Sequence, residues 1–212
     1  MKKVLITGAS RGLGHELAKV FHDNRYELVL HARKNEIPRI DGAEYVYGDF
    51  GNRDNVKDLF KKIYDQNIDI FINNAAAYEN KKFKNLSEAE LDYILATNLV
   101  IPSLLIKKLW PLSLLVNINS LAGKTASNGE SGYCASKFGI RGLSESLNID
   151  VSEAGGRIVD VYLGAMATDM TKNREDHDKL IDPAEAAKTI FELCKARETL
   201  QIREFTITRT RY

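Results

Sequence analysis

The sequence has little cysteine, little net charge and no long apolar run, and each shortage removes a class of function. Two cysteines in 212 residues, Cys134 and Cys194, make neither a zinc spacing nor a disulfide framework, which agrees with a reducing, cytoplasmic setting and no metal site. Thirty basic against 29 acidic residues leave a formal charge of +1. With no long block of one sign, a nucleic-acid surface is not expected, and Arg203, Arg209 and Arg211 make only the C-terminus locally basic. No apolar run approaches the length that spans a bilayer, so no membrane partner is expected. The opening Met1-Lys2-Lys3-Val4-Leu5-Ile6 is not expected to act as a secretory leader, because Arg11, His15 and Glu16 interrupt it. Repeats, low-complexity tracts and linkers are lacking too, and the length suits a single domain over 1–212.

What the chain does have is an apolar, β-prone start, Val4-Leu5-Ile6, followed by Gly8, Gly12 and Gly14 and then by Leu13, Leu17, Ala18, Val20 and Phe21 at helical spacing. This reads as strand, loop, helix. Glycine lets such a loop turn sharply and approach a pyrophosphate, whose charge the N-terminus of the following helix attracts. The same glycines could equally end a strand for structural reasons.

Further along, Glu27–Ala32 reads as a second strand, 43–48 as a third, 69–73 as a fourth, 114–119 as a fifth and 157–163 as a sixth. Helical patterns fall between them: from Asn52 onward, from the Ser87/Glu90 capping box to about Trp110, from Ser131 to about Ala154, and from Asp182-Pro183 to Ala196. Pro102 inside the second of these divides it or bends it near Asn98–Pro102. Residues 204–209 alternate as a last, edge strand. The alternation implies an α/β fold: a three-layer, doubly wound Rossmann architecture with a mostly parallel seven-stranded sheet and helices on both faces.

In such a sheet, ligands lie beyond the carboxyl ends of the strands. Gly8, Ser10, Arg11, Gly12, Leu13 and Gly14, then His31–Arg33, Asp49 with Phe50, Asn73–Ala76, Ser120 and Gly164–Thr168 all follow strands and share that rim. Tyr133 and Lys137 are four apart at the start of the longest helix, so they share a face. An ammonium beside a phenol favours phenolate, and this predicts a tyrosine that titrates nearer neutrality and serves as acid or base. Tyr78 and Lys82 show the same spacing in a polar segment without helical pattern; position, not spacing, separates the two pairs.

Thr7-Gly-x3-Gly-x-Gly14, Asn73-Asn-Ala, Asn98, Ser120 and Tyr133-x3-Lys137, in this order and spacing over nearly the whole chain, resemble the single-domain short-chain dehydrogenases/reductases. The resemblance implies an oxidoreductase interconverting carbonyl and alcohol with a nicotinamide cofactor. It gives Ser120 the substrate oxygen, Tyr133 the proton exchange, Lys137 the nicotinamide ribose and Asn98 a water relay. It also implies cofactor contacts at Asn74, Ala75, Ala76 and Gly164, adenine at Asp49 and the carboxamide at Thr168, although Asp49 and Thr168 could equally cap their turns. Two positions depart from the family: Ala76 stands where glycine is usual, and Leu163-Gly164 where Pro-Gly is common.

The end of the second strand, His31-Ala32-Arg33, lacks the acid that receives ribose hydroxyls in NAD enzymes. Arg33 and Arg11 could bracket a 2′-phosphate, which predicts NADP(H), with NAD(H) possible, or could simply face solvent. A short lid, about 165–182, with Met166, Met170 and His177, is expected beside the substrate. Three functions stay open: a carbonyl reductase, a 3-oxoacyl-thioester reductase, and a nonenzymatic NADP(H)-binding sensor. By resemblance the protein is a homodimer or homotetramer joined through the apolar segments 99–109 and 138–147.

Overall fold

Val4, Leu5 and Ile6 are wholly buried and belong to strand β1 (Lys3–Thr7) at the centre of the sheet. A computed structural model describes the chain apart from residues 36, 53–55, 196–199 and 211–212. The elements that follow are α1 (Gly12–Asp23), β2 (Glu27–Ala32), β3 (Glu44–Tyr47), α2 (Val56–Tyr64), β4 (Ile70–Asn73), α3 (Glu88–Leu95), α4 (Ile101–Leu109), β5 (Leu114–Ser120), α5 (Ser131–Glu153), β6 (Ile158–Leu163), α6 (Pro183–Cys194) and β7 (Glu204–Ile207). The expected starting turn of α2 falls partly at 53–55, Ala196 was expected to end α6, and Arg211 belongs to the basic C-terminus; all lie outside the described residues.

The strands form one sheet in the order β3-β2-β1-β4-β5-β6-β7. Every pairing is parallel, including the edge pair β6–β7, so the sheet is wholly rather than mostly parallel. The chain winds outward from β1 to β3, returns to lay β4 beside β1, and winds the other way. The crevice between β1 and β4 is therefore the switch point, where open α/β sheets take their ligands.

Side chains alternate across the sheet. Val4 and Ile6 pack with Leu17, Phe21, Ile190 and Phe191 of α1 and α6 on one face. Leu5, Val29, Phe71 and Leu115 pack with Leu59, Ile63, Leu105 and Ile106 of α2 and α4 on the other. With both faces covered, a strand needs apolar residues at successive positions, and that is why IFIN and IVDVYL read as nearly continuous runs.

Glu88–Leu109 corrects one expectation, because by length and composition this helical run does reach membrane-spanning size. Here Ile101, Leu105 and Ile106 are instead taken up by the core. The run opens with the expected capping box, Ser87 accepting from the Glu90 amide while the Glu90 carboxylate accepts from the Ser87 amide. It is not broken at Pro102. Residues Ala96–Val100 widen into a π-helical turn, and the Ile101 N–H reaches back to the Ala96 carbonyl. A widened turn leaves room for the proline ring against the preceding carbonyls, and Asn98 lies in the middle of it.

Candidate active site

The β1–β4 crevice is sewn together by Thr7. Its hydroxyl accepts from the Asn74 and Ala75 amides at 3.0 and 3.1 Å. The Asn74 side chain in turn donates to the carbonyls of Thr7 and Gly8 at 2.8 and 3.2 Å. The backbones come so close that a Cβ on Gly8, which has φ +68°, would lie 2.9 Å from the Ala75 Cα, and one on Gly14 would lie 2.2 Å from the Gly8 carbonyl oxygen. The glycines are thus required by this close approach. Ala76 carries its Cβ without strain, since Arg25 and Asn67 are the non-glycine residues at positive φ among those described.

Over this loop opens a groove of about 420 Å³. From the phosphate loop it takes Gly8, Ser10, Arg11, Gly12, Leu13 and Gly14, and from the strand ends Arg33, Asp49, Phe50, Asn74, Ala75 and Ala76. The segment after β6 adds Met166, Thr168 and Met170. Arg11, at the N-cap of α1, makes no side-chain cap, and the first turn holds no acidic residue. The helix therefore presents uncapped amides to the groove, and no carboxylate competes for them. A dinucleotide diphosphate fits this cradle. His177 does not line the groove; its Nδ1 lies 3.1 Å from the Thr171 carbonyl oxygen, within the segment between β6 and α6. Gly164 is likewise set back, its amide donating to Ile207 at 2.9 Å.

Beside the groove, α5 brings Tyr133 and Lys137 against the end of β5. The Ser120 hydroxyl, near enough to act on the Tyr133 phenol, accepts from the Ala122 amide at 3.2 Å. Lys137 is 5 % exposed, donates from Nζ to the Ile118 carbonyl at 2.9 Å, and lies 5.6 Å from the centre of the Tyr133 ring. Ile118 takes one of the three ammonium donors. Asn98 anchors this corner: its Oδ1 accepts from the Ala77 amide at 2.7 Å, and its Nδ2 donates to the Ala77 carbonyl at 2.8 Å and to Ser136 Oγ at 3.0 Å. One asparagine thereby joins the π turn, the loop after β4, and α5 next to Lys137.

The electrostatics correct the expectation that Lys137 draws the phenol toward neutrality. Burial dominates and raises Tyr133 to about 12; the nearby Ser120 hydroxyl opposes the rise and the Glu130 carboxylate adds to it. Burial also lowers Lys137 to about 8, against the opposing pull of Asp160. Tyr133 is a protonated acid throughout the neutral range, the form that can give a proton to a carbonyl oxygen.

The sequence missed several neighbours. Tyr78, half of the Tyr78/Lys82 pair set aside above, stands edge-on to Tyr133 with ring centres 5.1 Å apart and donates to Glu130 Oε1 at 2.7 Å. Tyr93 and Thr97 line the groove; the buried His31, by contrast, lines it as its place at the end of β2 led the sequence to expect. Below Lys137, a polar chain crosses the core from Asn73 to Asn117 at 3.0 Å, on to Ser144 at 2.8 Å and to Asp160 Oδ1 at 2.9 Å. No local spacing signals these contacts, which join residues 16 to 44 positions apart.

Across the mouth of the groove, Arg11 Nη1 lies 3.1 Å from Asp169 Oδ2 in an exposed ion pair, while at the end of β2 Arg33 Nη1 donates to the Tyr93 hydroxyl at 3.2 Å. Asp49 holds the Gly51 amide at 2.9 Å, so it does cap its turn, as well as bordering the groove.

The family described as short chain dehydrogenase matches residues 2–179. The 3-oxoacyl-[acyl-carrier-protein] reductase FabG of Staphylococcus epidermidis is 27% identical over 194 residues, covering 82% of this chain and 79% of the relative. A solved structure of 4-hydroxyisoleucine dehydrogenase complexed with NADH superposes with a TM-score of 0.89 at 22% identity, covering 99% of this chain and 98% of that one. A metagenomic short-chain oxidoreductase in complex with NADP superposes with a TM-score of 0.84 at 25% identity, covering 99% and 97%.

Proposed function

The chain belongs to the short-chain dehydrogenase family and is an oxidoreductase acting between CH–OH and C=O with a nicotinamide cofactor; from that premise we propose an NADP(H)-preferring carbonyl reductase in which Tyr133 is the proton donor. The observation that carries this reading is the meeting of Ser120, at the end of β5, with Tyr133 and Lys137 of α5, where Lys137 is buried, held by the Ile118 carbonyl and set 5.6 Å from the Tyr133 ring. A bound nicotinamide supplies the hydride. Ser120 orients the substrate carbonyl oxygen, Tyr133 gives its phenolic proton to that oxygen, and Lys137 holds the ribose while its charge steadies the phenolate left behind. Asn98 keeps the loop at Ala77 in register with α5.

Incubation of the protein with NADPH and a panel of ketones, aldehydes, quinones and acyl thioesters, followed by absorbance, tests the proposal. Turnover is expected with wild type and is expected to drop about 10²–10⁴-fold in Tyr133→Phe, the usual range for losing a general acid. Equal rates in the two proteins would overturn the role of Tyr133. The likeness to FabG supports a second reading, reduction of 3-oxoacyl thioesters, which requires the thioesters to be the best substrates in that panel. NADP(H) preference rests on the end of β2, where Arg33 borders the groove and His31-Ala32-Arg33 carries no acid. Arg33→Asp is expected to weaken NADPH more than NADH.

Residues 165–182 act as the lid of this single domain. Leu104 on α4 and Phe138 on α5 are 43% and 42% exposed, and they support a homodimer or homotetramer built on these helices, testable by light scattering. The free, buried Cys134 and Cys194 accord with a reducing cytoplasm.

A further inference from the structure

Arg33 is a long, flexible side chain at a strand end, and such a guanidinium selects a ligand only when its fork is held in place. What holds it comes from elsewhere in the chain. Tyr93, on α3 and 60 residues downstream, reaches the same end of the groove and accepts from Arg33 Nη1 at 3.2 Å. The same hydroxyl lies 3.1 and 3.3 Å from the two carboxylate oxygens of Asp49.

The polarity of this chain is fixed by chemistry. A guanidinium has no lone pair to accept a hydrogen bond, and an ionised carboxylate has no proton to donate. The single phenolic proton therefore points to Asp49, and the oxygen lone pair faces Arg33. Asp49 is itself pinned by the Gly51 amide at 2.9 Å in the turn after β3. The Tyr93 ring lies on Gly51 so closely that a Cβ there would come within 2.0 Å of the ring carbons Cδ2 and Cε2. Only glycine admits the ring at this position, so Tyr93 is fixed at its ring and at its hydroxyl.

We infer that Tyr93 is a positioning residue that sets Arg33 toward the 2′-phosphate of the cofactor and thereby fixes the preference for NADP(H). The inference rests on the NADP(H) reading above. A hydroxyl suits the task because it orients the guanidinium through one donor and carries no charge of its own, leaving the other four donors of Arg33 for a phosphate. Asp49, occupied by Tyr93 and Gly51, then serves as the anchor of this chain.

The test uses the adenosine fragments 2′,5′-ADP and 5′-AMP, with affinities from calorimetry, and NADPH and NADH affinities alongside. Tyr93→Phe keeps the ring on Gly51 and removes the hydroxyl. It is expected to lower 2′,5′-ADP affinity about fivefold, the size of one hydrogen bond, and to change 5′-AMP affinity far less. Arg33→Ala is expected to abolish the distinction between the fragments, and Tyr93→Phe added to Arg33→Ala to bring no further loss of 2′,5′-ADP affinity. If Arg33→Ala leaves the fragment ratio unchanged, the NADP(H) reading fails and the inference with it. If Arg33→Ala removes the preference while Tyr93→Phe leaves it intact, or lowers both fragments equally, the NADP(H) reading stands and the role of Tyr93 is overturned.

Discussion

The two ends of the groove are built on opposite principles. At the inner end, by Tyr133, Lys137 is 5 % exposed and Asn98 2 % exposed, and their partners are two backbone carbonyls, a backbone amide and one buried hydroxyl. At the outer end, Arg11 and its partner Asp169 expose 70% and 62% of their side chains. Burial makes each polar contact at the first end expensive to break, because a group left unpaired there loses water as well as its partner. Water screens and replaces contacts at the second end. Chemistry needs fixed geometry and receives it from the buried end; the exposed end can vary its ligand at small cost to the fold.

The largest effect that sharpens this contrast, after the loss of turnover in Tyr133→Phe, belongs to Asn98. Asn98→Ala strips partners from the Ala77 amide, the Ala77 carbonyl and Ser136 at once. A loss of about 2–4 kcal/mol is expected, read as a fall in Tm of roughly 5–15 °C, together with loss of activity. A variant as stable as wild type would mean that the corner is not held by this side chain.

Asp160 comes next, and its effect has the opposite sign. Burial raises its pKa from 3.8 to about 6, with Glu204 and Glu145 adding to the rise and the bonds from Ser144 and Asn117 opposing it. A raised folded pKa favours the protonated form, so this contribution to stability is whole below about pH 4 and is lost as pH rises through about 6. At neutral pH the fold therefore carries a buried carboxylate at a cost. Asp160→Asn is expected to stabilise the protein by about 1–3 kcal/mol at pH 7.5, the gain shrinking as pH falls from 6 toward 4. Denaturant unfolding at several pH values checks this. A gain independent of pH would place the effect in packing rather than in charge.

The same contrast explains what the sequence could tell. β2 was legible to the residue, Glu27–Ala32, because its signals are local. So were the Ser87/Glu90 capping box and the Tyr133/Lys137 pair, each defined by side chains within one turn of one another. The glycine loop was legible as well, although its reason became visible only when β4 was seen to press against it. Tyr93 was not legible, since its meaning lies in Arg33 and Asp49, 60 and 44 residues away. Nor was Tyr78: a periodicity argument discounts Tyr78/Lys82 correctly as a pair, yet the fold sets Tyr78 against Tyr133. The direction of the Tyr133 shift was misread because spacing shows the nearby cation and does not show burial, which is the larger influence.

The smallest expected effect concerns Arg11, and it is the one most able to disturb the comparison. The sequence pairs Arg11 with Arg33 as two arms around a 2′-phosphate, whereas the fold gives Arg11 to Asp169 across the mouth of the groove. An exposed ion pair contributes about 0–1 kcal/mol, so Arg11→Ala should leave stability nearly unchanged. Because Asp169 already offsets the Arg11 charge, the same substitution should alter the ratio of NADPH to NADH affinity by less than about threefold, well below the effect of Arg33→Asp. Asp169→Asn supplies the complementary arm: it releases Arg11 and should raise NADPH affinity slightly, by an amount that added salt removes. Should Arg11→Ala prove as damaging as Arg33→Asp, the Arg11–Asp169 pair must open when the dinucleotide binds. Selectivity would then come from an ion pair exchanged for a phosphate contact, and this outer end of the groove would be a moving part rather than a fixed one.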